Sequence, residues 1–297
     1  MYTADQVRTE LRNEPHDFLD IGHSQIAHWR FGRGPDLLFV HGWPLHAATF
    51  RDFVPPLAER FTCHLIDLPH IGHTQSKQDA PTGLSEHAAS LRRVVDALDL
   101  TRFAYVAHDS GAVAARIAAK DDPRVVGLAL GDTEIPGHVP PILEAYRISA
   151  QMPGTNHILR LLMRLRSFRH SRLAFGGCFT HRSSIEGEFY DLFVRPLIDS
   201  HEATAGQMLL AKYLDFGVVE GLVHVHRRIL APTLLVWGTE DPFFPIDKAR
   251  NMVSQFGGGA ELRAIQGASL YCHEDRAAEF LAHVDPFLTR CFERGQG

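Results

Sequence analysis

The segment that most constrains the fold is residues 103–116, where an apolar strand-like run ends in a polar turn and an Ala-rich helix-like run begins at once. Two small residues, Ala107 and Gly111, stand two positions to either side of Asp109. This spacing is typical of a sharp strand–turn–helix elbow, in which larger flanking side chains would clash. The central side chain then sits at a helix N-terminus, where backbone N–H groups can hold negative charge. An Asp before a helix is more commonly an N-cap, so the rest of the chain must decide between the two.

Strand-like and helix-like segments alternate on both sides of this elbow. Predicted strands cover residues 24–31, 36–40, 62–67, 103–107, 125–130, 232–238 and 260–265, and predicted helices cover 47–58, 85–98 (capped by Ser85), 246–256 and 275–292. This alternation and spacing predict a doubly wound, mostly parallel α/β sheet with right-handed crossovers.

The alternation stops between residues 135 and 229, which are helix-like and contain no apolar run of the parallel-strand type. We therefore predict an α/β core domain formed by residues 1–134 and 230–297, interrupted by a helical cap domain at 135–229. A chain of 297 residues is long enough to bury one large core with such an insertion.

Composition and charge argue against several classes of function. A net charge of −5 gives no reason to expect nucleic acid or a membrane as a partner, and no apolar run is long enough to span a bilayer. The N-terminus does not resemble a signal peptide, and the four scattered cysteines fit neither a zinc site nor a disulfide framework. We expect a cytoplasmic protein with a small-molecule substrate and no metal or cofactor. Assembly as a homodimer is left open.

Several motifs together resemble the α/β-hydrolase superfamily, and within it the branch of haloalkane dehalogenases, fluoroacetate dehalogenases and epoxide hydrolases. The matching pieces are His41–Pro44, the loop Asp67–Pro69, the elbow Ala107–Gly111, the helical insertion and Trp237–Pro242. The resemblance implies an α/β-hydrolase fold and makes Asp109 the nucleophile rather than an N-cap.

In that branch the nucleophilic carboxylate attacks carbon, opening an epoxide or displacing a halide, and forms an alkyl-enzyme ester. The resemblance implies that Asp109 does this and that the backbone N–H groups of Trp43 and Ser110 form the oxyanion hole. It also implies that Asp241 is the acid that orients a catalytic histidine, with Asp132 as the reserve candidate.

The histidine itself is missing. Leu270 occupies its position in the segment 266–274, and a leucine can neither accept nor donate a proton. His273, three residues further on, is the remaining candidate for the base, but at about one helical turn from position 270 we expect it to face away from the nucleophile. An engineered exchange of His for Leu at this position stays open. The resemblance gives His41 and His108 structural, loop-supporting roles rather than that of the base.

The residues that mark the substrate in this branch also differ. Ser110 follows the nucleophile where haloalkane dehalogenases commonly have a Trp that binds halide and fluoroacetate dehalogenases have an Arg. Epoxide hydrolases protonate the epoxide oxygen with tyrosines of the cap. Tyr146, Tyr190 and Tyr213 lie in the insertion and are candidates for this role, although packing is the simpler explanation for each.

Three hypotheses of function follow from the sequence. The first is a hydrolase of dehalogenase or epoxide hydrolase type that acts on a small apolar substrate through Asp109, with an impaired or altered hydrolytic step. The second is a non-hydrolytic enzyme in which Asp109 is a general base for cyclisation, elimination or isomerisation. The third is a ligand-binding receptor on a hydrolase fold.

Overall fold

A single mixed sheet forms the centre of the computed structural model, which describes residues 2–294. Within this range the nine strands are β1 (Asp17–Asp20), β2 (Ser24–Gly32), β3 (Asp36–Val40), β4 (Thr62–Ile66), β5 (Gln75–Ser76), β6 (Phe103–His108), β7 (Val125–Gly131), β8 (Thr233–Gly238) and β9 (Ala260–Ile265). They lie in the order β1-β2-β4-β3-β6-β7-β8-β9, and β5 pairs with β2. The strands from β4 to β9 in this order pair in parallel, whereas β2 is antiparallel to β1, β4 and β5. The predicted α/β class is therefore confirmed.

Helices connect the strands and cover the sheet. They are α1 (Ala4–Arg12), α2 (Val54–Leu57), α3 (Leu84–Ala97), α4 (Asp109–Ala119), α5 (Pro141–Ser149), α6 (Thr155–Arg164), α7 (Arg166–Arg169), α8 (Arg195–Asp199), α9 (His201–Lys212), α10 (Phe216–His226), α11 (Ile246–Met252), α12 (Cys272–Asp275) and α13 (Ala277–Glu293). The central strands β3, β4 and β6 are almost completely buried, as their continuous apolar sequences predict.

Two predicted helices differ from those in the structure. The helix expected at 47–58 is a 3₁₀ turn at Ala47–Phe50 followed by the short α2. The pair Pro55-Pro56 lies in the first turn of α2, and because proline has no N–H to donate, the helix cannot continue through it from residue 47. Ser85 does not cap α3, which begins at Leu84 after Gly83.

The segment between β7 and β8 contains α5 to α10 and several 3₁₀ or π turns, with no strand among its residues. That it forms a separate cap domain remains a prediction. Within residues 2–294, no helix has both the length and the hydropathy needed to cross a bilayer.

The predicted elbow between β6 and α4 has the backbone that the motif requires. Asp109 has a φ of 51°, in the left-handed region that residues other than glycine seldom adopt. Gly111 passes so close to the end of β3 that a Cβ there would lie 2.1 Å from the carbonyl oxygen of His41. Asp109 is thus held at a strained turn by the packing of α4 against β3.

A side chain at Gly111 should therefore be costly. We predict that Gly111→Ala lowers the free energy of unfolding by roughly 1–3 kcal/mol, because β3 or α4 must shift to admit the methyl group. Gly221→Ala in α10 is the matched control, since a Cβ at Gly221 meets nothing within 4 Å and alanine favours a helix. Urea unfolding monitored by circular dichroism measures both. Equal stability of the two variants would contradict the close approach at Gly111.

Candidate active site

Side chains that follow four parallel strands meet at one edge of the sheet. Asp109 follows β6, Asp132 follows β7, Asp241 lies in the loop after β8 and Leu270 in the loop after β9. The carboxyl ends of parallel strands in an open α/β sheet are where ligands bind. The structure thus gathers the predicted site residues at the position where the fold places its sites.

Asp109 is 8% exposed and its carboxylate is held by backbone. The N–H of Trp43 donates to Oδ2 of Asp109 at 2.9 Å. Burial raises the pKa of Asp109 to about 6, while the backbone N–H groups of Ser110 and Trp43 lower it. The carboxyl group is therefore mostly ionised at neutral pH, in a site largely removed from water.

Two cavities meet at Asp109. The larger, of about 110 Å³, is apolar and lies between the strand-end loops and the inserted helices. The smaller, of about 30 Å³, has Trp43, Leu143 and Tyr146 in common with the larger one, and its walls also include Ser110 and Glu134. The inserted segment thus completes both cavities.

Leu270 lines the larger cavity together with Asp109. Its side chain is buried, and its carbonyl oxygen accepts a hydrogen bond from Nε2 of His108 at 2.9 Å. Among residues 2–294, no histidine lines either cavity. The side chain at position 270, where the resemblance implied a histidine, is therefore a leucine that faces the cavity.

His273 points elsewhere, as its position in the sequence predicts. Its Nε2 lies 2.8 Å from Oγ1 of Thr49, and its ring packs on that of His108 with centroids 3.8 Å apart. It is fully buried outside both cavities, and burial holds its pKa well below the ordinary value. In this arrangement it has no access to a substrate beside Asp109.

His41 and His108 tie loops together. Nε2 of His41 accepts from the N–H of Leu68 at 3.0 Å, and its Nδ1 donates to the carbonyl oxygen of Gly42. Burial lowers the pKa values of both histidines to about 4, so both are neutral at physiological pH. These contacts set the shape of the loops that carry Trp43 and Leu270.

Asp132 and Asp241 form a buried acidic pair behind the cavity walls. Oδ1 of Asp132 accepts from the N–H of Gly238, and its Oδ2 accepts from the thiol of Cys272, both at 2.9 Å. Burial and the neighbouring Asp241 hold the pKa of Asp132 well above its usual range.

Asp241 is fixed through one oxygen only. Oδ1 accepts from the N–H groups of Phe243 and Phe244, while Oδ2 is buried and accepts no hydrogen bond from a donor among residues 2–294. Burial raises the pKa of Asp241 to about 7. Oδ2 is the kind of acceptor that an orienting acid would offer to an imidazole.

Of the three candidate tyrosines, the structure places only Tyr146 at the cavities. Its hydroxyl donates to the carbonyl oxygen of Leu173 at 3.2 Å. The ring of Tyr190 instead lies under the guanidinium groups of Arg169 and Arg195, and Tyr213 is half exposed.

The sequence analysis missed two residues that line the cavities. Tyr271 lies in the wall of the larger cavity, where its hydroxyl donates to the carbonyl oxygen of Trp43 at 3.2 Å. Glu134 lines the smaller one and is only 4% exposed. The signal for Glu134 was present in the sequence, because it lies in the short segment that follows a predicted strand whose carboxyl end points to the site.

The chain belongs to the α/β-hydrolase fold family, whose model matches residues 35–275. It is 28% identical to haloalkane dehalogenase 2 of Mycobacterium bovis over 237 residues, which are 76% of this chain and 78% of that protein. It is also 28% identical to the magnesium-chelatase 30 kDa subunit of Rhodobacter capsulatus over 242 residues, 80% and 81% of the two chains. The crystal structure of an α/β-hydrolase fold protein from Burkholderia ambifaria superimposes with a TM-score of 0.73 at 19% identity, covering 91% of this chain and 99% of that one.

The buried acidic pair predicts a particular dependence of stability on pH. The pKa of Asp241 rises on folding from its ordinary value of 3.8 to about 7, so its contribution to stability is full below about pH 4 and is lost as the pH rises through 7. Asp241→Asn keeps an oxygen for the N–H groups of Phe243 and Phe244 but cannot ionise. We expect its free energy of unfolding to fall less between about pH 5 and pH 8 than that of the wild type, by roughly 1–3 kcal/mol.

Urea unfolding at several pH values measures this difference. Asp247→Asn is the control, because that side chain is 84% exposed and should leave the slope unchanged. A slope for Asp241→Asn equal to that of the wild type would show that Asp241 is ionised in the folded protein throughout this range.

Proposed function

We propose that this chain is an enzyme of haloalkane dehalogenase or epoxide hydrolase type, in which Asp109 attacks a carbon atom of a small apolar substrate and forms an alkyl ester. The observation that carries the proposal is the hydrogen bond from the N–H of Trp43 to Oδ2 of Asp109 at the wall of an apolar cavity. We propose that Oδ1, which takes no part in this bond, is the oxygen that attacks. The 28% identity to a protein named haloalkane dehalogenase 2 supports this reaction class.

The surroundings of Asp109 favour nucleophilic attack. Its carboxylate is already ionised at neutral pH and needs no separate base to activate it. Burial removes most of the water that would otherwise solvate it. Leu143, Tyr146 and Leu159 of the inserted helices, which we propose act as a cap, form an apolar wall opposite the carboxylate.

The hydrolytic step must differ from that of a site with an imidazole. In such a site a histidine activates the water that cleaves the ester, whereas here Leu270 lines the cavity and His273 is bonded to Thr49. The hydrogen bonds of the Trp43 and Ser110 N–H groups to the Asp109 carboxylate support a role for both in stabilising the tetrahedral oxyanion. We therefore propose that ester formation is retained and that ester hydrolysis is slowed or uses another base.

The first test is detection of the ester. Wild type incubated with 1-iodobutane at pH 7 should gain the mass of one butyl group, and peptide mapping should place it on Asp109. Asp109→Asn should gain none, because the amide is a poor nucleophile. Since loss of a general base typically slows a reaction by ~10²–10⁴-fold, the adduct should last long enough for intact-mass measurement.

Two outcomes would contradict the proposal. Equal mass gain in wild type and Asp109→Asn would show alkylation elsewhere on the chain. A wild type that neither gains mass nor forms butanol, yet is stabilised against heat by small apolar ligands, would favour the receptor hypothesis.

A second test rebuilds the missing base. Leu270→His replaces a leucine in the wall of the larger cavity by an imidazole, and we expect Oδ2 of Asp241, which lies behind that wall, to fix its tautomer. We expect the butyl ester to disappear at least ~10²-fold faster than in the wild type. The double variant Leu270→His with Asp241→Asn is the control and should lose most of this gain. An ester equally stable in all three proteins would show that Asp241 does not reach that position.

A second candidate function is favoured by the pKa of Asp109, which burial raises to about 6. A carboxylate of that basicity, without an imidazole in the cavity, could instead act as a general base in an elimination or isomerisation. Water labelled with ¹⁸O distinguishes the two. Over many turnovers the ester mechanism puts label into the Asp109 side chain, whereas proton abstraction leaves it unlabelled.

A further inference from the structure

The polar groups around the larger cavity are already bonded within the protein. The indole Nε1 of Trp43 donates to the carbonyl oxygen of Gln207 at 2.7 Å, and the amide of Gln207 donates to that of Leu45. The hydroxyls of Tyr146 and Tyr271 donate to backbone carbonyl oxygens. A negative charge that develops on a leaving group therefore finds few uncommitted donors among these side chains.

The smaller cavity differs, because Glu134 and Ser110, whose buried Oγ has no hydrogen-bond partner among residues 2–294, both lie in its walls. Glu134 lines this cavity together with Asp109, and Oε2 of Glu134 lies 3.0 Å from Oγ1 of Thr133. The same hydroxyl oxygen lies 2.9 Å from the backbone oxygen of Asp109. Two carboxyl side chains thus face one small cavity, and Thr133 connects that of Glu134 to the backbone of Asp109.

The smaller cavity is suited to water. Its volume of about 30 Å³ exceeds the ~10–15 Å³ that one water molecule needs. Asp109 lies in the walls of both cavities. A substrate in the larger cavity and a water in the smaller one would therefore meet at this carboxylate, with Glu134 on the side of the water.

We propose that Glu134 is the catalytic acid and base of this site, and that the leaving group it serves is an oxygen atom, as in a three-membered cyclic ether. This inference rests on the proposed function of Asp109 as a nucleophile. Glu134, which follows β7, would then carry out the proton transfers that a leucine at position 270 cannot perform.

The ring-opening step balances with these two residues. Oδ1 of Asp109 forms a bond to a ring carbon, and the carbon–oxygen bond of the ring breaks. The protonated carboxyl group of Glu134 gives its proton to the departing oxygen through the water molecule in the smaller cavity. The products are a hydroxyalkyl ester on Asp109 and a carboxylate at Glu134.

The hydrolytic step restores both groups. The Glu134 carboxylate takes a proton from a water molecule while the oxygen of that water bonds to Cγ of Asp109. The N–H groups of Trp43 and Ser110 hold the resulting oxyanion. When this intermediate collapses, the ester bond breaks, and the alkoxide of the diol takes the remaining proton from the new carboxyl group of Asp109. Asp109 is again ionised and Glu134 again protonated.

The order of acidity agrees with these roles. Burial and the charge of Asp109 raise the pKa of Glu134 to about 8, whereas that of Asp109 is about 6. Between these values Asp109 is ionised and Glu134 protonated. A pair of neighbouring carboxyl groups with separated pKa values divides naturally into nucleophile and acid.

A purely structural role for Glu134 would be to neutralise Arg116, whose guanidinium is fully buried. However, Nη2 of Arg116 donates to Oγ1 of Thr133 and to the backbone oxygen of Glu134, not to its carboxyl group. Its Nη1 lies 3.1 Å from Nε2 of His226. The bonds of Arg116 therefore do not require the Glu134 side chain.

The experiment compares two probes with the same carbon chain, 1,2-epoxybutane and 1-iodobutane. Opening the epoxide needs a proton, whereas displacing iodide does not. Glu134→Gln should lower the formation of butane-1,2-diol by ~10²–10⁴-fold but should form the butyl ester from 1-iodobutane at the wild-type rate. Glu240→Gln, which removes an exposed carboxyl group, should match the wild type with both probes.

Each other outcome has a definite meaning. Undiminished diol formation by Glu134→Gln would overturn the inference and leave the function of Asp109 standing. An equal loss with both probes would show that Glu134 only supports the structure, which also overturns it. A wild type that reacts with neither probe would refute the proposed function itself.

A measurement on the wild type alone guards against misfolding of the variant. The rate of ester formation from 1-iodobutane should rise through about pH 6 and then stay level, because it needs only ionised Asp109. The rate of epoxide opening should rise in the same way and fall again above about pH 8, where Glu134 loses its proton. Two identical profiles would overturn the inference.

Discussion

The hydrogen bond from the N–H of Trp43 to Oδ2 of Asp109 is the contact on which the rest of the site depends. It forms because β3 and β6 are parallel neighbours with Val40 opposite Ala107, so the turns that follow both strands leave the sheet at the same edge. It also needs Gly42, where a Cβ would lie 2.5 Å from that of Asp109. Sheet register, the absence of a side chain at Gly42 and the strained turn at Asp109 together fix Oδ2 of the carboxylate.

The electrostatics of the site follow from the number of carboxyl groups around this contact. Asp109, Asp132, Glu134 and Asp241 are each less than a tenth exposed. Burial of an ionised group is costly, so the pKa values of all four are raised. An imidazolium in the cavity would supply a compensating positive charge, and Leu270 supplies none. In the proposed reaction the leucine would therefore affect the acid–base properties of all four carboxyl groups and not of a single step.

The elements that could be predicted are those encoded locally. Continuous apolar runs located the parallel strands, with β3 and β9 at the predicted bounds, and the small residues around Asp109 located the elbow. The Pro55-Pro56 pair also carried a local signal, but the periodicity of residues 47–58 outweighed it. The cavities could not be predicted, because their walls combine strand-end loops with α5 and α9. For this reason the sequence could not separate Tyr146, which reaches the cavities, from Tyr190, which does not.

The electrostatic interaction between Asp109 and Glu134 would allow Glu134 to act as an acid in ring opening and as a base in ester hydrolysis. After burial, the charge of Asp109 is the largest influence that raises the pKa of Glu134. Esterification removes that charge, so the pKa of Glu134 must fall when the alkyl ester forms, while Arg116 continues to favour its ionised form. The residue would therefore be a better acid once the ring has opened, and would hold its carboxylate form while water attacks the ester. A histidine is useful in such sites because its pKa lies near neutrality. Two neighbouring carboxyl groups can also reach a pKa near neutrality, because the charge of one raises the pKa of the other.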